Sequence, residues 1–362
     1  MKKSRSSKVM SAFICSGGGL RGCFQVGAID YLVNTKKILP DLVCGISTGS
    51  LQALGLARGS GKDRVGLLLD TWSDLKKKKD VYFTPLRKFI LEFPYILWDA
   101  VRSACAKSEI NGNWFRGLHE FGGLKQFVND EFESKPPTEE GIRLIAGAVD
   151  LKTGWLTYFD SHFETYFRKS SSVAKWLKEK QLRMGRLDCP KQIIASCSIP
   201  GFFPPVDIGA GQFVDGGARD IVPMKVAIHA LKQMAEGKGV PDAELKLYLL
   251  LCDPLDLKKR KKSRNLLSVI YRTLDIVCNE IFLNDIESAL KKNALVGKRS
   301  PFARSYSKVT VYAVKPRRPF IDVLEVDQKK IQDGMAHGRE CAELGSTKPV
   351  KLDKYGNLVF PY

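Results

Sequence analysis

The sequence predicts an α/β fold built on a parallel, helix-covered sheet, and three observations carry that expectation. The chain opens as strand, turn, helix, strand, turn, helix. Short apolar runs of strand length then recur as far as residue 314. Finally, 44% of the 362 residues are hydrophobic, enough for a sizeable core and too many for a disordered chain.

Taken in order, Lys8–Cys15 (KVMSAFIC) reads as a first buried strand and Ser16–Gly19 as a turn. Leu20–Asn34 spaces its apolar residues for a helix. Pro40 ends the connection, Asp41–Ile46 is a second short apolar strand, and Thr48–Arg58 a second helix. Residues 60–140 break the pattern. They carry Trp72, the Lys76–Lys79 run, an aromatic segment from Thr84 to Trp98 interrupted by Pro85 and Pro94, and glycines at 112, 117, 122 and 123. This stretch predicts a helical cap or insertion. Strand signals return at Ile142–Val149, Trp155–Phe159 and Lys191–Ser196, and Gln212–Val214 leads into Asp215-Gly216-Gly217. A helix is expected from Met224 to Gln233, a long buried strand over Glu244–Leu251 and a helix over Arg264–Asn293. Val309–Val314 is a late strand and Gln328–Leu344 a last helix, with no internal repeat and no low-complexity segment.

Charge is the compositional outlier: 58 Lys and Arg against 39 Asp and Glu give a net charge of +19. Such a surface favours anionic partners, or serves only solubility. No nucleic-acid motif accompanies it, so nucleic acid is not expected. The densest run is Lys258-Lys259-Arg260-Lys261-Lys262, with Arg264 close behind. It predicts peripheral contact with an anionic membrane, which the aromatic residues Phe89, Phe93, Tyr95 and Trp98 would enter at the interface, or else a solvated loop. Nine cysteines without a CxxC pair, several inside apolar runs, read as buried thiols of a reducing compartment rather than a disulfide frame or a zinc site. The basic N-terminus runs through too short an apolar stretch for a signal peptide. No run reaches the roughly 20 residues of a membrane span. The expectation is a cytoplasmic protein that meets membranes only at its periphery.

Gly17-Gly18-Gly19-Leu20-Arg21-Gly22 follows a strand and opens a helix. It satisfies GxGxxG, but the acidic residue a dinucleotide site requires at the end of the second strand is absent; Asp41 stands at the beginning of that strand. Gly59-Ser60-Gly61-Lys62 fails as a phosphate loop because Asp63 follows the lysine. Two readings of the glycine loop remain: a cradle of backbone N–H groups for an anion, or a tight turn. Gly45-Ile46-Ser47-Thr48-Gly49 is a GxSxG pentapeptide between strand and helix, where the serine is either a nucleophile on a strained elbow or a helix cap.

A serine nucleophile needs a base. The four histidines, His119, His162, His229 and His337, lie in no motif, and His337 could formally serve in the Ser-Asp-His order of a conventional triad. Asp215, at a strand end and followed by two glycines, is the better candidate; the alternative there is an ordinary Asp-Gly turn.

Together these blocks resemble the patatin-like phospholipase family. Gly17-Gly18-Gly19-Leu20-Arg21-Gly22, Gly45-Ile46-Ser47-Thr48-Gly49, Ala195-Ser196-Cys197-Ser198-Ile199-Pro200 and Asp215-Gly216-Gly217 occur in the family's order. Many members carry Asp before the glycines, where this chain has Ser16. The resemblance covers about residues 8–235. It implies a three-layer α/β/α fold with a mainly parallel central sheet and a helical insertion, one domain over 1–362 with the insertion at about 60–140 and a C-terminal α/β extension at about 240–362. It implies a lipid acyl hydrolase of phospholipase A or lysophospholipase type with a Ser47–Asp215 dyad, an oxyanion hole at Gly17, Gly18 and Gly19, Arg21 bracing the loop, and neither metal nor other cofactor. The competing functions are a conventional triad esterase using His337 and a catalytically dead module that binds anionic membrane.

Overall fold

A computed structural model describes residues 9–58, 64–84, 119–134, 136–138, 141–166, 181–254, 266–293 and 308–362. In chain order the strands are β1 (Val9–Cys15), β2 (Leu42–Ile46), β3 (Tyr82–Phe83), β4 (Glu120–Phe121), β5 (Arg143–Asp150), β6 (Leu156–Asp160), β7 (Leu182–Arg186), β8 (Val206–Ile208), β9 (Gly211–Asp215), β10 (Glu244–Leu250), β11 (Val309–Val314), β12 (Lys351–Leu352) and β13 (Leu358–Val359). The α-helices are α1 (Gly22–Asp30), α2 (Thr48–Arg58), α3 (Gly66–Ser73), α4 (Gly123–Ser134), α5 (Phe163–Tyr166), α6 (Pro190–Ser196), α7 (Met224–Gly237), α8 (Leu266–Asn293) and α9 (Gln328–Gly345).

The main sheet runs β11-β10-β1-β2-β5-β6-β7, with β9 joined to β5 and β8 to β9. Every pair from β11 to β5 is parallel, as is β6 with β7; β5–β6, β5–β9 and β8–β9 are antiparallel. Alternation along β1 explains the layering. Met10, Ala12 and Ile14 point into a core with Met224, Leu231 and Ile286 of α7 and α8. Phe13 and Cys15 point the other way, into a core with Phe24, Leu54 and Ile331 of α1, α2 and α9. The result is a three-layer α/β/α fold on a mainly parallel sheet.

One expected strand is a helix. Lys191–Ser196 lies within α6. Cys189 is extended, Pro190 occupies the first helical turn, and the Gln192 carboxamide oxygen accepts the N–H groups of Asp188 (2.9 Å) and Cys189 (3.0 Å), which caps the helix. The apolar core of the run, Ile193-Ile194-Ala195, is too short for periodicity to tell helix from strand. Within 60–140 the described residues hold α3, α4, the 3₁₀ turn Lys78–Asp80 and the antiparallel pair β3–β4. Phe89, Phe93, Tyr95 and Trp98, and Lys258, Lys259, Arg260, Lys261, Lys262 and Arg264, lie outside the described residues.

One register detail sets up the site. β2 ends with Ile46 opposite Gly147 of β5. On the same edge, beyond the end of β2, β9 comes in antiparallel with Asp215 opposite Ala148. Residues 47 and 215 therefore leave the sheet side by side, although 168 positions separate them in the chain.

Candidate active site

Ser47 sits in the left-handed region at φ 55°, between the end of β2 and the first turn of α2. That backbone costs a non-glycine residue about 1–2 kcal/mol and turns the hydroxyl away from the sheet, at the positive end of α2. The pentapeptide's glycines are a packing requirement: a Cβ on Gly49 would lie 2.2 Å from the Cys15 carbonyl oxygen. The strain is held by hydrogen bonds. The Ser47 N–H donates to Ser196 Oγ (3.0 Å), and its carbonyl accepts from Ser50 Oγ (2.6 Å) and Cys197 Sγ (3.2 Å).

The Ser47 hydroxyl hydrogen-bonds the Asp215 carboxylate. Gly217 N–H donates to Asp215 Oδ1 (2.8 Å), and the Asp215 N–H to the Ser198 carbonyl (2.9 Å). The segment Ser196-Cys197-Ser198 thus holds the backbones of both residues, one from each side. Asp215 is fully buried, and burial lifts its carboxyl to about 7, against the opposing pull of the Ser47 and Gly217 hydrogen bonds.

The glycine loop faces this pair. Gly18 has φ 160° and Gly19 φ 58°. A Cβ on Gly19 would meet the Val323 carbonyl oxygen at 2.3 Å. The Gly17 N–H donates to the Ile221 carbonyl (3.2 Å), whereas the N–H groups of Gly18 and Gly19 have no acceptor among the described residues. Arg21, buried, donates from Nε to the Ile321 carbonyl (3.2 Å) and pairs through Nη1 with Asp253. Leu20 N–H donates to the Val323 carbonyl (2.8 Å). The loop is therefore clamped by residues 253 and 321–323, well outside the four sequence blocks.

Ser47 opens onto a pocket whose walls are almost wholly apolar: Leu20, Leu51, Leu68, Trp72, Leu75, Phe121, Leu124, Phe127, Ile199, Phe203 and Leu324. Such a lining suits a hydrocarbon chain, each buried methylene contributing about 0.8 kcal/mol. Six of these residues (Leu68, Trp72, Leu75, Phe121, Leu124, Phe127) come from the stretch between α2 and β5.

Comparison with known proteins adds to this geometry. A family model described as "Patatin-like phospholipase" matches residues 13–228. The chain belongs to the patatin-like phospholipase family. It is 25% identical over 221 residues to a cGAMP-activated phospholipase of Pseudomonas aeruginosa, a match covering 60% of this chain and 55% of the relative. The chain thus spans about half the length of that curated relative. The crystal structure of VipD from Legionella pneumophila is similar with a TM-score of 0.38 at 13% identity, over 93% of this chain and 66% of that one.

In this patatin-like chain no histidine lines the pocket of Ser47. His337 packs edge-on against Phe24 and Phe320, at 5.4 and 5.9 Å between ring centroids. His162 bonds Ser161 Oγ (2.9 Å), and His119 bonds Thr84 Oγ1 (2.9 Å). Ser16, where many family members carry Asp, bridges Cys252 N–H and the Gly17 carbonyl, each at 3.0 Å, and so ties the loop to the end of β10.

Proposed function

We propose that this chain hydrolyses lipid acyl esters, as a phospholipase A or lysophospholipase, through a Ser47–Asp215 dyad. One observation carries the reading: the hydroxyl of a serine on a strained backbone, hydrogen-bonded to a buried carboxylate, opens onto an apolar pocket beside two backbone N–H groups that have no acceptor among the described residues. The fatty acyl chain lies in the pocket, which puts the ester carbonyl over Ser47. Asp215 takes the hydroxyl proton as Oγ attacks the carbonyl carbon. The oxyanion faces the Gly17–Gly19 loop, with Gly18 and Gly19 donating in the present geometry and Gly17 anchoring the loop; one such donor is worth about 3 kcal/mol. Collapse expels the alcohol, which takes the proton back from Asp215, and leaves an acyl-serine. Water repeats the sequence and releases the fatty acid. A carboxylate near 7 is basic enough to accept that proton and acidic enough to return it. Arg21 acts through the loop, not on the substrate.

The test is turnover of a short-chain ester and of mixed phospholipid–detergent micelles by Ser47→Ala and Asp215→Asn. Each variant should lose about 10⁴-fold in kcat or more while keeping the wild-type circular dichroism spectrum. Near-normal turnover in either one rejects the dyad.

A further inference from the structure

Three helices wall the pocket of Ser47, and their register gives it a direction. On α2 the lining positions are Thr48 and Leu51, so the next residue on that face is Gly55. α3 presents Leu68, Thr71 and Trp72. A Cβ on Gly22 would meet Thr48 Oγ1 at 2.3 Å and Trp72 Cη2 at 2.9 Å, and Trp72 Nε1 donates to Gln52 Oε1 (3.1 Å). Trp72 therefore stands beside the first turns of α2. Leu68 stands further along it, since its Cδ2 would lie 2.4 Å from a Cβ on Gly55. α3 thus runs antiparallel to α2 and carries Leu68 away from Ser47. On α4, Leu124 and Phe127 line the pocket, and the next position on their face, Glu131, pairs with Arg58 at the end of α2. Arg58 Nη2 also donates to Ser134 Oγ (2.7 Å). This largely buried pair joins α2 to α4 beyond Leu68, so among the described residues the pocket ends there.

Glycine inside a helix is less stable than alanine, so Gly55 is a cost that its contact must explain. Its missing side chain is what seats Leu68, which is buried with 2% of its surface exposed. The cavity is small, about 90 Å³. Eight residues separate Ser47 from Gly55, a span of about 12 Å at about 1.5 Å per helical residue. An extended alkyl chain with C–C bonds of about 1.52 Å advances about 1.25 Å per carbon, so about nine or ten carbons fill that span. We propose that Leu68, seated on Gly55, is the stop that sets acyl length, and that the substrates carry medium chains near decanoyl, a hexadecanoyl chain being too long for the pocket. The proposal deepens the reading of this pocket as the acyl site beside the Ser47–Asp215 dyad, and rests on it.

The experiment varies chain length on the full chain, with hexanoyl, octanoyl, decanoyl, dodecanoyl and tetradecanoyl lysophosphatidylcholine, each kept monomeric. Affinity is measured by isothermal titration calorimetry in the Ser47→Ala background, and kcat/KM in the chain that keeps Ser47. Affinity should tighten about fourfold per methylene as far as decanoyl, then stay flat to tetradecanoyl, because the added methylenes find no wall. The rise in kcat/KM should break at the same length. Leu68→Ala should carry the rise past decanoyl, so that tetradecanoyl binds about tenfold tighter or more than in the parent. Leu68→Val should move the break the same way by less, and decides the matter if either alanine variant fails to fold. Gly55→Ala, which pushes Leu68 into the pocket, should move the break the other way, to octanoyl or shorter. An unbroken rise to tetradecanoyl in the parent, a break that folded Leu68 variants leave in place, or no saturable binding of any chain length overturns the stop. The expected break in affinity with no turnover by the chain that keeps Ser47 rejects the dyad and leaves the stop standing. Turnover that grows steadily with chain length to tetradecanoyl rejects the stop and leaves the dyad standing.

Discussion

In the proposed dyad Asp215 must stay buried and yet carry a charge, and that conflict would set the pH dependence of turnover. With its carboxyl lifted to about 7 by burial, only the ionised form can accept the Ser47 proton. We expect kcat/KM on a soluble ester to rise tenfold per pH unit up to about 7 and then level off; a profile flat from 5 to 8 contradicts this. Stability runs the opposite way. The folded state holds this proton more tightly than the unfolded chain, so as pH rises from about 4 to about 7 this group progressively destabilises the fold. Asp215→Asn should therefore melt at or above the wild-type temperature at pH 8 while being inactive. Ser47 and Asp215 were legible as candidates because Gly45 and Gly49 bracket the serine and Gly216-Gly217 follow the aspartate, marking a strained elbow and an uncrowded strand end. The tasks of Ser196, Cys197 and Ser198 were not legible. They act through backbone hydrogen bonds across 149 and 150 positions (Ser196 and Cys197 to Ser47) and 17 positions (Ser198 to Asp215), which no local spacing announces. The engagement of the Gly17 N–H by Ile221 was hidden for the same reason.

Among elements, β5 carries the most. It pairs with β2, β6 and β9, and its first residue, Arg143, is fully buried. Arg143 pairs with Asp160 of β6, also fully buried, at 2.6 Å between Nη2 and Oδ2, and donates to the Ala230 carbonyl of α7 (3.1 Å). This ties two strands to a helix of the outer layer. Arg143→Met would strand the Asp160 charge in the core and should cost about 3–5 kcal/mol in urea unfolding at pH 7. A loss below 1 kcal/mol would show that water reaches the pair. Long apolar elements such as β10, β11, α2 and α9 were readable from hydrophobic period alone. The weakly apolar β7 and β8 carry no strand signal, and the short apolar run of α6 reads as a strand although Pro190 and the Gln192 cap make it a helix. The antiparallel entry of β9 beside the end of β2, which brings Ser47 and Asp215 together, depends on pairing between distant segments and leaves no local pattern.

At the scale of the whole molecule, the net charge of +19 and the apolar pocket suit the proposed action on a lipid substrate held in an interface. None of the helices among the described residues is long and apolar enough to cross a membrane. The basic run at residues 258–262 with Arg264 is proposed as the docking element, at about 1 kcal/mol per charge near an anionic surface. Replacing Lys258, Lys259, Lys261 and Lys262 with Glu should sharply reduce turnover of anionic vesicles at low salt and spare a soluble ester. Equal turnover of vesicles by variant and wild type rejects the proposal. The sequence motifs end near residue 217, yet Asp253, Ile321 and Val323 clamp the glycine loop and Leu324 lines the pocket, so the C-terminal third contributes to the candidate site. The dyad at the centre of this account is tested most directly by treating the intact chain with a fluorophosphonate and mapping the adduct by peptide mass spectrometry. The account predicts a single adduct on Ser47, lost in Ser47→Ala and strongly slowed in Asp215→Asn. An unlabelled Ser47 in folded protein, or labelling at the wild-type rate after Asp215→Asn, contradicts it.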